Sequence, residues 1–120
     1  MIHGVLYRQD NPQTLLSDVM QTSSMLERMR GLLGRPPLQQ HQGLLIKPCS
    51  SVHTFGMRYP IDLVFLDKNW RIMKLVHSLK PSRIVWAWGA YMVIEMLGGA
   101  LLELKLTPET QLLWEKSACV

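Results

Sequence analysis

The chain has 120 residues, 48% of them apolar and 18% charged. That is enough apolar material for one compact domain with a packed core, and it argues against a disordered chain. No apolar run approaches the roughly 18 to 20 residues of a membrane-spanning helix, and thirteen Lys and Arg against nine Asp and Glu leave a net charge of +4 without any basic cluster or fold signature of nucleic-acid binding.

The N-terminus, MIHGVLYRQDNPQ, lacks the basic start and long apolar stretch of a secretory signal. The expectation is a cytoplasmic protein. Its two cysteines, Cys49 and Cys119, are then reduced thiols rather than a disulfide framework. Gly4 to Arg8 reads as a first strand, followed by a turn at QDNPQ, because a residue before Pro is pushed out of the helical region. Thr14 to Met20 reads as a second strand.

TSSMLERMRGLLGRPP carries the best helix pattern. Ser24 stands three residues before Glu27, as in a capping box, and Met25, Met29, Leu32 and Leu33 fall on one stripe. Gly34 and Pro36-Pro37 stop it. Gln42 to Pro48 is a short apolar strand. Ile61 to Asp67 is apolar on both parities, which predicts burial on both faces. Arg71 to Leu79 follows at hairpin distance, so an antiparallel pair is expected. KPSRIVWAWGA reads as a loop carrying Trp86 and Trp88. Tyr91 to Leu97 is a buried strand ended by Gly98-Gly99, ALLELKL a helical turn, and TPETQLLWEK a turn and last strand. The sum is an α+β fold, mostly β. It has about six strands in a mixed, barrel-like sheet, one main helix over about 22–34 and a short helical turn over about 99–105.

Residues with chemical potential concentrate in PCSSVHTFGMRYPIDLVFLD. Cys49 and His53 are the candidate catalytic pair, since a thiolate is the nucleophile and a nearby imidazole can take its proton. They touch if the segment is a loop; on a strand, four residues span roughly 13 Å and keep them apart. The plain alternative is a half-buried thiol beside a His bonded to backbone. The same two residues are too few for a zinc site, and His41, His77 or Asp62 would have to converge from far away, so no metal is expected. Neither a P-loop nor a strand-following G-x-G-x-x-G is present, so no nucleotide cofactor is expected.

Asp62 and Glu95 are acids inside apolar strands, and each needs a partner if buried. Arg30, Arg35 and Arg58 are candidates for Asp62. If the two acids face one another, one of them can have a raised pKa and serve as an acid. Met57 is either core filler or pocket wall. Trp86 and Trp88 are either a lid over the core or an exposed patch, and with the strand edges they are candidate surfaces for a homodimer.

Taken together, ERMRGLLGR, GLLI, CSSVHTFGMRYPIDLVFLD, IEMLGG and LTPETQLLW resemble domain-of-unknown-function family 192, found in bacteria and archaea. The Pro-Cys-x-x-x-His-Thr-Phe form looks like one branch of it. The resemblance runs from about Leu26 to Trp114 and implies a small, mostly β domain around a barrel-like sheet, with no established reaction. The expectation is a binding or accessory module for a small polar ligand or a protein partner. Its candidate pocket is Arg30, Arg35, Cys49, His53, Met57, Asp62 and Glu95. The alternatives are a Cys/His- or carboxylate-dependent hydrolase or transferase, and a scaffold.

Overall fold

The structure is a computed structural model that describes residues 1–117; Cys119 lies outside the described residues. Seven strands form one mixed sheet in the order β6-β5-β8-β3-β2-β1-β9. They are β1 (Ile2–Arg8), β2 (Thr14–Gln21), β3 (Gln42–Ile46), β5 (Ile61–Leu66), β6 (Ile72–Leu79), β8 (Met92–Leu97) and β9 (Leu112–Lys116). Only β2 and β3 run parallel; the other neighbours are antiparallel. Two further short strands, β4 (Ser51–His53) and β7 (Ile84–Trp86), pair with each other. The helices are α1 (Met25–Arg30) and α2 (Ala100–Leu104).

The sheet curls until its two edges meet at one corner. There the Ile72 N–H donates to Thr110 O (2.9 Å), Glu109 N–H to Ile72 O (2.7 Å) and Leu112 N–H to Trp70 O (2.9 Å). These bonds use up backbone groups that edge strands would leave unpaired, which is what a barrel accomplishes. The barrel-like, mostly β expectation therefore holds, as does the antiparallel pairing of β5 with β6.

Two apolar clusters sit on opposite faces of the sheet. The inner one gathers Leu6, Leu16, Leu45, Val64, Met92, Ile94 and Met96, with Ala100 and Leu101 of α2 packed on it. The outer one gathers Leu44, Ile46, Leu63, Phe65 and Val93 under Leu32, Leu38, Val52 and Ala87. The residues of β5 and β8 alternate between these clusters. Both strands are covered on both sides, which accounts for a composition that is apolar on both parities apart from one acid in each, Asp62 and Glu95.

The helix pattern at 22–34 is corrected. Ser24 is the N-cap, its hydroxyl accepting from the Glu27 N–H, but Gly31 at φ 54° ends the helix after six residues. Met25 and Met29 are 66% and 70% exposed, and only Leu32 of the expected stripe is buried. The short helix lies beside the outer cluster rather than flat on the sheet, so its stripe faces solvent. KPSRIVWAWGA is corrected too: β7 lies within it, Ala87 is buried, and Trp86 and Trp88 point outward, Trp88 at 88% exposure.

Candidate functional site

A cleft opens on the outer face, between α1 with its following turn and β4. Its walls include Arg28, Met29, Arg30, Leu33, Cys49, His53, Phe55 and Met57, with Ile46 and Glu95 beneath, and it encloses about 70 Å³. Leu33 and Met57 also border a second, wider groove of about 670 Å³, lined further by Arg35, Pro37, Arg58 and Tyr59.

Local sequence builds this opening. Gly31 takes a positive φ that a side chain would strain, and a Cβ there would come within 3.0 Å of Glu95 Oε1. The backbone therefore approaches the carboxyl closely only because position 31 is glycine. The turn is then tied by two arginines. Arg30 Nε donates to Leu33 O (2.9 Å) and Arg35 Nε donates to Gly31 O (2.8 Å). On the other wall, Thr54 is fully buried: its hydroxyl donates to Lys80 O (2.7 Å) and accepts from the Arg83 N–H (2.9 Å). Thr54 was not singled out as a sequence feature, although the signal was available in a polar residue wedged between His53 and Phe55.

Glu95 is the unusual group. It is 4% exposed. Its cross-strand neighbours on the same face are Leu44 and Leu63. Among the described residues no hydrogen bond or ion pair to its carboxyl is formed; the ion pairs present are Met1 with Glu27, His3 with Asp18 and Arg8 with Asp10. Burial without a charged partner raises its pKa to about 7.

Cys49 is half-buried, and its thiol donates to Ser51 O at 3.0 Å. Burial pushes the thiol pKa up; the Ser51 bond lowers it in part, and the charge of Glu95 raises it further. His53 is exposed on β4, its ring stacked on Phe55 with centroids 5.8 Å apart. The segment is a strand from Ser51, not the loop that contact required, and among the described residues no Cys49–His53 hydrogen bond is formed. The cleft thus brings together Arg30, Cys49, His53, Met57 and Glu95, and places Arg35 in the adjoining groove.

Asp62 is elsewhere. It pairs across the sheet with Met96, whereas Glu95 pairs with Leu63, so the two acids point to opposite faces and do not meet. Its carboxylate accepts three backbone N–H bonds, from Ser78 (2.7 Å), Gly99 (3.0 Å) and Leu101 (2.9 Å). None of Arg30, Arg35 or Arg58 pairs with it. The β5–β6 register slips by one residue at this point, and Asp62 takes up the Ser78 N–H there. It also caps α2, whose N-cap Gly99 has no side chain to do so.

Among the described residues no three His, Cys, Asp or Glu side chains converge as metal ligands would, and no helix is long and apolar enough to cross a membrane. The family of domain of unknown function 192, described as uncharacterized ACR, matches residues 6–114. The chain belongs to this family.

Two solved structures share the fold of this family member. A protein of unknown function from Novosphingobium aromaticivorans DSM 12444 is similar at 20% identity, with a TM-score of 0.74 over 93% of this chain and 84% of that one. A Sinorhizobium meliloti 1021 protein, provisionally described as a transcription regulator, is similar at 18% identity, with a TM-score of 0.77 over 94% and 92% of the two chains. No curated protein matches.

Proposed function

We propose that this domain of the family is a binding module whose site is the cleft between α1 and β4. The observation that carries this reading is the Glu95 carboxyl, 4% exposed in the cleft floor and without a hydrogen-bond partner among the described residues. Buried polar groups in native proteins are almost always satisfied; among the described residues the Glu95 carboxyl has no protein partner and opens onto the cleft, so its hydrogen bonding is left to whatever fills that space. Around it the walls supply apolar contact from Met29, Leu33 and Phe55.

The thiol–imidazole alternative has less support. Catalytic thiols are activated by a lowered pKa, whereas Cys49 sits where burial and a neighbouring acid both work against the thiolate.

A fragment screen followed by amide NMR tests the binding reading. Fragments are expected to shift the signals of Gly31, Cys49 and Glu95 together. Gly31→Ala, which drives a methyl against Glu95, is expected to abolish those shifts, while Glu109→Ala, at the corner where the sheet edges meet and outside the cleft lining, leaves them intact. A screen in which no fragment moves these signals, or in which Gly31→Ala binds as well as the unmutated chain, would remove the cleft from consideration.

A further inference from the structure

We propose, building on the binding reading above, that the ligand is an apolar monocarboxylate bound head inward. Its carboxylate shares a proton with the Glu95 carboxyl between Arg28 and Arg30, and its chain passes Leu33 and Met57 into the wider groove.

Size gives the first argument. By the measure that assigns one water roughly 10–15 Å³, the 70 Å³ above Glu95 accommodates a small polar head and little more. The rest of a longer ligand lies outside this space, and the 670 Å³ groove, which shares Leu33 and Met57 with it, offers the apolar surface for it.

Charge gives the second. Arg28 and Arg30 border the inner space, and Arg35 and Arg58 border the groove. Among the described residues none of these four guanidinium groups has a carboxylate partner. Arg30 and Arg35 spend bonds on the carbonyls of the 31–34 turn, which does not cancel their charge. Among the described residues the only acid bordering either space is Glu95. Four cations and one acid along the two spaces make their lining net positive, which favours an anion over an amine.

The third is the chemistry of Glu95 itself. A carboxyl that holds its proton donates one hydrogen bond and still accepts others, so it complements a carboxylate, which only accepts. Two carboxyl groups at one site share one proton. The titratable or charged groups that share the cleft with Glu95 are Arg28 and Arg30 from α1, Cys49 from the β3–β4 loop and His53 from β4; in the adjoining groove stands Tyr59, whose pKa is raised by burial and by the charge of Glu95. With Glu95 protonated, the arginines remain to neutralise the ligand.

The experiment is an NMR titration of the full chain with hexanoate, hexylamine and 1-hexanol at pH 6 and pH 8. Hexanoate is expected to shift Gly31, Cys49 and Glu95, and to bind about tenfold more weakly for each pH unit above the titration of Glu95, because binding then requires proton uptake. In Glu95→Gln the pH dependence is expected to flatten; in His53→Asn it is expected to persist. The side-chain carboxyl ¹³C signal of Glu95 in the unmutated chain gives the same answer without a substitution, since hexanoate must raise the pH at which it titrates.

Tighter binding of hexylamine, or equal binding of 1-hexanol and hexanoate at both pH values, would overturn the carboxylate assignment and leave the cleft a binding site. Hexanoate binding that ignores pH, or whose pH dependence vanishes with His53→Asn, would overturn the shared proton. Silence from all three probes at Gly31, Cys49 and Glu95 would overturn the assignment, and failure of the broader fragment screen as well would overturn the binding reading itself.

Discussion

Asp62 and Glu95 lie on adjacent strands at the centre of one sheet, both nearly or fully buried, and their surroundings are opposite. Asp62, on the inner face, is met by three backbone N–H groups that no other acceptor serves, so the fold is organised around it. Glu95, on the outer face, is met by leucines, a thiol and a glycine, and the fold gains no hydrogen bond from it. One acid joins a β-bulge to a helix start. The other carries an uncompensated desolvation cost, which natural proteins retain mainly at sites that meet something else.

The largest expected effect comes from breaking the first member of this pair. Asp62→Ala leaves the Ser78, Gly99 and Leu101 N–H groups buried without an acceptor and is expected to cost about 3–5 kcal/mol, read as a fall in the urea midpoint. A loss below about 1 kcal/mol would mean that water or a shifted backbone replaces the carboxylate.

Glu95→Gln should act in the other direction, and only over part of the pH range. The folded-state pKa, about 7, lies above the ordinary 4.5. Between those values the folded chain holds a proton that the unfolded chain has released, so stability falls as pH rises through this window and levels off above it. The substitution removes that slope. At pH 8 the variant is expected to be more stable than the unmutated chain by something on the order of 3 kcal/mol, with the difference vanishing near pH 4. Parallel stability–pH curves for the two proteins would mean that Glu95 is already satisfied.

The smallest effect sharpens the electrostatic side of the comparison. In a Cys119→Ser background, Cys49 is expected to alkylate slowly at neutral pH, with an apparent pKa above the usual thiol value that moves down in Glu95→Gln and stays put in His53→Ala. A pKa that rises on loss of His53 would restore the thiol–imidazole pair.

Much of this architecture was legible along the chain. About six strands were expected where the main sheet has seven and β4 and β7 add two more, but the double-parity run Ile61 to Asp67 correctly indicated a strand covered on both faces. The strands β4 and β7 were not legible. Each has three residues, mostly exposed, and exists only because the other lies alongside it. The helix was overextended because Met25, Met29, Leu32 and Leu33 have helical spacing whether or not the backbone continues through Gly31. The cleft was partly legible: Arg30, Cys49, His53, Met57 and Glu95 were candidates and line it, whereas Asp62 was grouped with them because an acid in an apolar run looks the same on either face.

The sequence by itself determined the family, the mostly β class, the strand order along the chain and the presence of two acids that had to be reconciled with burial. Those properties follow from local composition and period, which are written residue by residue. Which acid the fold uses, and which it leaves open at the floor of a cleft, was decided only by tertiary structure. A one-residue step in a strand sends a side chain to the other face, and the N–H groups that meet Asp62 come from segments distant in sequence, brought together only when the sheet curls.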